Sequence, residues 1–570
     1  MASVLTDPQP PILRIRGWAG ISATVALCAG LALFITTLRE GRTNLGTISL
    51  PWALHFGTVL ASSVAWSIVG SLLIAFIAHR RTDDVLAFQT ATHLPLIVPT
   101  TLACWAYFSD DLHHRLIHTD DLRWLWASAL AIWLITQVIW LPSGMDRISL
   151  SFRKTIRNTI DFLVSTSFVR NTFGLVVIQF VIVRLGLALL WRPIGFFERG
   201  SDVGAYEQRA RLATLGLQPY LDYWVEYPPL FPWTAHGIKL LSLHVGGSEV
   251  AFQILFSLLM LGFEAGILGL IHRIAVHVWD RPRGLVAALA YAGLFYPIYI
   301  SNRHFESIAV FFLLLGITLA IENRRHTAAL AIALGMLTKI FPIAGLPALF
   351  AGQSWWARTR YLGILAGSLA GVLLPLFISS REFFVASFQN MIMRPGWETI
   401  WAVADGYFSF GWVHRFRQSP HTALEFNYTP GVPNQVWWAT AAIVAALYIY
   451  LTLRQQQATP ATIVWSTGLA LVVFALYLRG WSPQFMVWIL PFVLIAFPGG
   501  RGFLIATSLS VLALLESPGY FYLWSDQTWV LWILVLARTI ALIGLGVIFA
   551  YRLWKSGKHS TSAIHSSTGE

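Results

Sequence analysis

Charge is scarce in this chain. Of its 570 residues only 12% are Asp, Glu, Lys or Arg, while 56% are hydrophobic. Soluble domains average about 25% charged residues, so this composition excludes an ordinary soluble surface. Cysteine is nearly absent. Cys28 and Cys104 both lie inside apolar runs, which excludes a disulfide framework and a cysteine metal cluster. There is no glycine-rich phosphate loop, which argues against direct nucleotide use, and no motif for DNA or RNA. Carboxylates are the scarcer sign, 27 against 39 Lys and Arg, for a net charge of +12.

What is present is apolar sequence in long runs. Runs of about 18 or more residues recur from end to end and read as many transmembrane helices. The expected fold is therefore all-α, a polytopic transmembrane helix bundle with loops and juxtamembrane helices on the outer face. The basic residues sit in short clusters between the runs, so topology explains the positive charge better than nucleic acid does. Attraction to anionic or phosphate-bearing lipids is a further consequence.

Applied loop by loop, the positive-inside rule orients the chain. Arg14 and Arg16 place the N-terminus in the cytoplasm, ahead of an uncleaved first helix over 17–38. Further helices at 52–78, 90–108 and 124–141 lead to "DRISLSFRKTIRNT", the strongest basic cluster, with Arg147, Arg153, Lys154 and Arg157. A helix at 172–191 then exits. Helices follow at 250–275, 284–300, 306–321, 361–378, 436–453, 461–478, 485–498, 503–515 and 529–550. The run 327–352 is broken by "KIFP" and has basic residues on both flanks, so it reads as a hairpin with Lys339 at its bend. Both termini fall inside, and the polar tail 554–570 reads as disordered. The expected domains are an N-terminal four-helix module (1–160) and a core (161–553) with outer loops 192–249 and 379–435.

The longest carboxylate-bearing passage between apolar runs is "GSDVGAYEQRARLATLGLQPYLDYWVEYPPLFPW", residues 200–233. On this topology it lies outside. Val203, Tyr206, Ala210, Ala213 and Leu217 recur at helical spacing, so a short helix lies along the interface and ends at Gly216 and Pro219. Asp202 reads in two ways. It is a good N-cap, and it is a candidate general base that takes the proton of an attacking hydroxyl. Glu226 is a candidate for orienting an acceptor or for bracing the loop, Tyr227 is a substrate-binding candidate, and Asp222 reads as a loop former.

Other polar residues converge on the same face. Lys339, in an apolar run, is costly there and so a functional candidate, as a point charge for a lipid phosphate or as a snorkelling side chain. "RHFES" places Arg303, His304 and Glu306 at a tight turn, where they grip a phosphate or sugar or cap a helix. Arg394 is a second phosphate candidate, and Ser482 and Gln484 lie in another outer turn. Glu264 sits in the middle of a helix, as a hydrogen-bonded contact or a functional group. His113, His114 and His118 match no strong metal pattern.

Four stretches in order carry a resemblance: the passage above, "ALGMLTKIFPIAGLPALF", "NMIMRPGWETIW" and "RGWSPQFMVWILP". Over roughly 170–500 the chain resembles the GT-C-type membrane glycosyltransferases. It is most similar to family 87, which includes bacterial polyprenyl-phosphate-mannose-dependent mannosyltransferases. The resemblance implies an inverting glycosyltransferase on the outer face of a bacterial inner membrane. The donor is a polyprenyl-phosphate sugar, mannose or another hexose, and the acceptor a glycan, glycolipid or other hydroxyl. It places the family's aspartate on Asp202, its hairpin lysine on Lys339 and its "SPQ" turn on Ser482 and Gln484. The implied partners are these lipid-linked and glycan substrates and membrane lipids, with no nucleic acid. No cofactor is demanded, and a divalent metal sharing the phosphate charge stays open. The first four helices precede the matching part. The alternatives are a transporter or flippase of a lipid-linked sugar, which calls for paired broken helices, and a non-catalytic assembly protein.

Overall fold

The computed structural model describes residues 202–406 apart from 302, residues 414, 416–426, 458–521 and 524–567, and helical positions scattered over 173–185 and 438–446. The first four expected helices, both cysteines, His113, His114, His118 and the Arg147–Arg157 cluster lie outside the described residues. The chain divides into Met1–Arg192 and Pro193–Glu570. The division thus falls after Arg192, where residue 160 was expected. The second unit carries every candidate site residue.

Among the described residues the fold is helical, without a strand. Five helices among the described residues are long and apolar enough to cross a membrane, which makes this a membrane protein. They are α3 (Glu249–Val278), α9 (Trp355–Ser379), α12 (Pro460–Tyr477), α14 (Gly500–Leu514, continued by a turn to Tyr520) and α15 (Thr528–Ser567). α3 has 30 residues, or roughly 45 Å, enough for a hydrocarbon core of about 30 Å. α9 leaves almost its whole surface open, with Leu374 and Ile378 exposed, as a lipid-facing helix does. Trp529 and Trp532 at one end of α15 and Tyr551 and Trp554 at the other are exposed. They are spaced as interfacial aromatic belts are.

Local chemistry sets the helix ends. Ser248 accepts a hydrogen bond from Ala251 N (3.1 Å), and Asp280 from Arg283 N (2.8 Å) at the start of α4 (Arg281–Gly293). The run expected as one helix over 284–300 breaks at Leu294, whose backbone is extended. α5 (Phe295–Ser301) restarts with Pro297 in its first turn, where a missing N–H costs nothing. α6 (Glu306–Ile321) is apolar all round and buried against α3 and α7 (Arg325–Thr338).

The 327–352 run does fold back on itself. α7 ends at Lys339, whose backbone is extended, and the chain returns through a 3-10 turn (Phe341–Gly345) and α8 (Leu346–Phe350). Arg325 at the start of α7 donates to Ala348 O (2.8 Å) and Leu349 O (2.9 Å) at the end of α8, which closes the hairpin. The tail expected to be disordered from 554 is helical to Ser567. Extending an existing helix needs no new nucleus.

The passage 202–233 forms α1 (Val203–Ala210), a 3-10 turn to Leu215, a left-handed Gly216, a looped stretch and then α2 (Leu230–Leu243). Val203, Tyr206, Ala210 and Ala213 are buried, as their spacing predicts, and so is Glu207. Glu207 is charge-paired inside, by Lys239 of α2 (2.8 Å) and by Arg211 (2.7 Å), which ties α1 to α2.

Candidate functional site

The rings of the first loop are its anchors. Tyr206 meets Phe231 edge-on at 4.7 Å, Tyr227 meets Phe305 at 5.0 Å, and Phe231 stacks on Phe305 at 3.5 Å. Trp224 Nε1 donates to Thr422 Oγ1 (2.9 Å), and Val225 N donates to Ser387 Oγ (3.0 Å) of α10 (Arg381–Met393). Burying aromatic side chains in such clusters is the largest energetic contribution available to a loop. The loop is thereby fixed against α6, α10 and the segment 416–426.

Beside this aromatic cluster, which reaches it through Tyr227, opens a cavity of about 1220 Å3. Its polar end is lined by Asp202, Arg209, Glu226, Tyr227 and Arg394. Lys339, Ser482 and Gln484 line it as well, brought in by the hairpin bend and by the 480–485 turn. Most of the remaining wall is apolar, with Phe341, Leu346, Trp438, Val473 and Phe474 among its residues, interrupted by Asn390, Arg479 and Ser517. A cavity with a charged end and a long apolar wall suits an amphiphile with an anionic or polar head.

Asp202 occupies the N-cap position of α1, but its carboxylate caps nothing. Its backbone oxygen accepts Tyr206 N (2.9 Å), while Oδ2 accepts the Tyr206 hydroxyl (3.2 Å). His304 Nδ1 lies 3.2 Å from Oδ2, off the line of a hydrogen bond. The side chain keeps 40% of its surface open, toward the cavity that it lines. Burial pushes its carboxyl up, but the contact with His304, the charge of Arg209 and the Tyr206 phenol outweigh burial and hold it at about 2, below the ordinary 3.8. It is ionised at any working pH.

Glu226 uses both carboxylate oxygens on arginines. Oε1 meets Arg209 at 2.7 Å, and Oε2 accepts a hydrogen bond from Arg417. Lys339 is likewise engaged. It pairs with Glu306 and is surrounded by the rings of Phe305 (5.0 Å), Phe485 (4.3 Å) and Trp488 (5.4 Å). Its charge is balanced by a buried partner, and the aromatic faces add attraction. Arg394 lies on the Trp397 ring at 4.2 Å.

Seven of the ten candidates read from sequence thus line one cavity, and two of the three in "RHFES" contact lining residues. His304 is buried against Asp202 and Glu306 against Lys339; neither lines the cavity. Arg303 does not line it either, being buried over the Tyr299 ring at 4.4 Å. Glu264 is held by hydroxyls, from Tyr291 (2.9 Å) and Ser307 (2.7 Å), and does not line the cavity. Sequence reading missed Arg209 and Arg417. Arg209 follows Asp202 by seven residues, two helical turns, and that spacing was the available signal. Nothing local marks Arg417, whose partner is 191 residues away.

Among the described residues no group of three or more His, Cys, Asp or Glu is placed to hold a metal. Glu226 is committed to arginines, so Asp202 has no second carboxylate beside it to chelate a divalent ion. No known family model matches this chain, and none of the curated proteins matches it either.

Proposed function

We propose that this protein transfers a sugar, mannose or another hexose, from a polyprenyl-phosphate donor to an acceptor hydroxyl at the outer face of the membrane, with inversion. The observation that carries this reading is one cavity that joins an ionised, cavity-facing Asp202 and guanidinium groups to a largely apolar wall. The donor has the same division, an anionic sugar phosphate on a hydrocarbon chain.

The balance of the step fits these groups. The acceptor oxygen bonds to the anomeric carbon as the bond from that carbon to the phosphate oxygen breaks. The electron pair leaves with the polyprenyl phosphate, whose charge rises from one negative to two. The acceptor proton passes to Asp202. A carboxylate held near 2 is a weak base toward a free alcohol. It becomes an adequate one late in the step, when the oxygen already bears a bond to carbon and its proton has become strongly acidic. Before that, Asp202 orients the hydroxyl by accepting its hydrogen bond. The cations meet charge that grows during the reaction, which is where electrostatic stabilisation accelerates a step.

The test is a panel of labelled polyprenyl-phosphate sugars offered to the purified protein in vesicles with membrane extract as acceptor. Appearance of label in a new, inverted glycosidic bond is the expected result. Passage of intact donor across the vesicle without such a bond would replace the transferase with a lipid-linked sugar flippase.

A further inference from the structure

Arg209 and Arg417 share one carboxylate. Glu226 lies between them with both oxygens engaged, so the three groups together carry one net positive charge. Arg417 and Glu226 are almost closed to solvent, with side chains 5% exposed, while that of Arg209 is 25% exposed and lines the cavity. Whatever positive charge this triad offers to a ligand is therefore offered through Arg209. Its guanidinium also lies over the Tyr227 ring at 5.8 Å, and its charge acts on Asp202. The group is thus close to the proposed reacting centre.

The support behind Arg209 is assembled from three parts of the chain. Arg209 is in the last turn of α1. Glu226 comes from the loop before α2. Arg417 comes from the segment 416–426, held by Trp224 N donating to Arg417 O (3.1 Å) and by the Trp224 ring beneath its guanidinium (4.5 Å). Asn390 Nδ2 donates to Ala423 O (2.8 Å), which pins the same segment to α10. A planar guanidinium held by so many contacts is preorganised for bidentate binding of an oxyanion such as phosphate.

We propose that Arg209 is the cation that binds the phosphate of the lipid substrate, and that Glu226, braced by Arg417, is a positioning residue that fixes Arg209 and does not touch substrate. This rests on the donor reading above and assigns its phosphate. It also divides the labour among the cations: Lys339, balanced by Glu306 within an aromatic cage, shapes the cavity wall. Because the phosphate gains a negative charge when the sugar leaves, Arg209 holds the released polyprenyl monophosphate more tightly than the donor diester.

The experiment measures binding of a polyprenyl monophosphate and of the uncharged polyprenol of the same length to the full-length protein in nanodiscs, by quenching of tryptophan fluorescence. The readout is the ratio of the two affinities, which a merely structural loss leaves unchanged because it weakens both lipids alike. Wild type is expected to prefer the phosphate. Arg209→Gln is expected to lose about 10- to 100-fold of that preference, the worth of a charge-assisted hydrogen bond pair. Arg209→Lys keeps the charge without the fork and is expected to retain part of it. Glu226→Gln is expected to lower the preference about 3- to 10-fold alone and to add nothing to Arg209→Gln, the non-additivity of a residue that acts through another. Full preference in Arg209→Gln would overturn the assignment. An undiminished Glu226→Gln effect in the double variant would overturn the positioning role. Wild type without any preference would remove the donor reading itself, a result distinct from both.

Discussion

Asp202 shows how a single position can be read correctly in place and incorrectly in part. Sequence marks it as an N-cap and a candidate base. The structure keeps it at the cap position and turns its carboxylate away, toward Tyr206, His304 and the cavity. Its low proton affinity has a consequence for pH. The folded value of about 2 lies below the ordinary 3.8. Ionised Asp202 therefore favours the folded state above 3.8, and that contribution is lost as pH falls through about 2. The same sign applies to activity. Since kcat/KM reports the free enzyme, Asp202 is expected to give no acid limb between about pH 4 and 7. A pH profile of transfer checks this. An acid limb near about pH 5–6 whose midpoint moves in Asp202→Glu would contradict it.

At the scale of elements, the cavity wall depends on two short segments that interlock. Trp481 N donates to Trp397 O (2.9 Å), and Thr399 Oγ1 donates to Arg479 O (2.8 Å). A Cβ on Gly480 would meet the Trp397 ring at 2.1 Å. Arg538 of α15 braces the same region from below. It pairs with Glu516, reaches the carbonyl of Glu398 and lies over the Trp481 ring at 4.6 Å. Gly480→Ala is therefore expected to cost about 1–3 kcal/mol by overpacking and to lower transfer, because Trp397 and the 482–484 turn line the cavity. Gly363→Ala is the control, since nothing lies within 4 Å of its Cβ in lipid-facing α9. Thermal unfolding and transfer of the two variants check this. Equal behaviour would contradict the interlock.

This interlock also shows where the sequence stops being legible. Hydropathy and helix caps reveal most spans, and the hairpin at Lys339 follows from its basic flanks. The "RPGW" and "RGWSPQ" segments each stand out as polar breaks, but their contact is about 80 residues long-range and no local pattern encodes it. The same holds for Glu226 with Arg417. Charged residues in an apolar chain are visible as candidates, whereas their division into cavity-facing and supporting groups depends on which side chains share a partner. Arg303, His304 and Glu306 are close in sequence, and none of them lines the cavity for that reason.

For the molecule as a whole, the account requires the polar end of the cavity to lie outside the cell, where a lipid-phosphate sugar is presented. Leu215, 72% exposed beside α1, falls on the side expected outside, and Trp356, 83% exposed at the start of α9, on the side expected inside, so cysteines at the two positions test the orientation. With Cys28 and Cys104 replaced by Ser, Leu215→Cys is expected to react with a membrane-impermeant maleimide in intact cells. Trp356→Cys is expected to react only after permeabilisation. The reverse pattern would contradict the proposed orientation.

The central claim is that Asp202 serves sugar transfer from a lipid phosphate. Its most direct test compares transfer from the active polyprenyl-phosphate sugar in membranes carrying wild type or Asp202→Asn at matched protein level. The account predicts a fall of at least about 100-fold, read at matched folded protein because the amide also loses the ionic contribution of Asp202 to stability. Transfer by Asp202→Asn within about threefold of wild type, well short of the loss expected for a catalytic base, would contradict it.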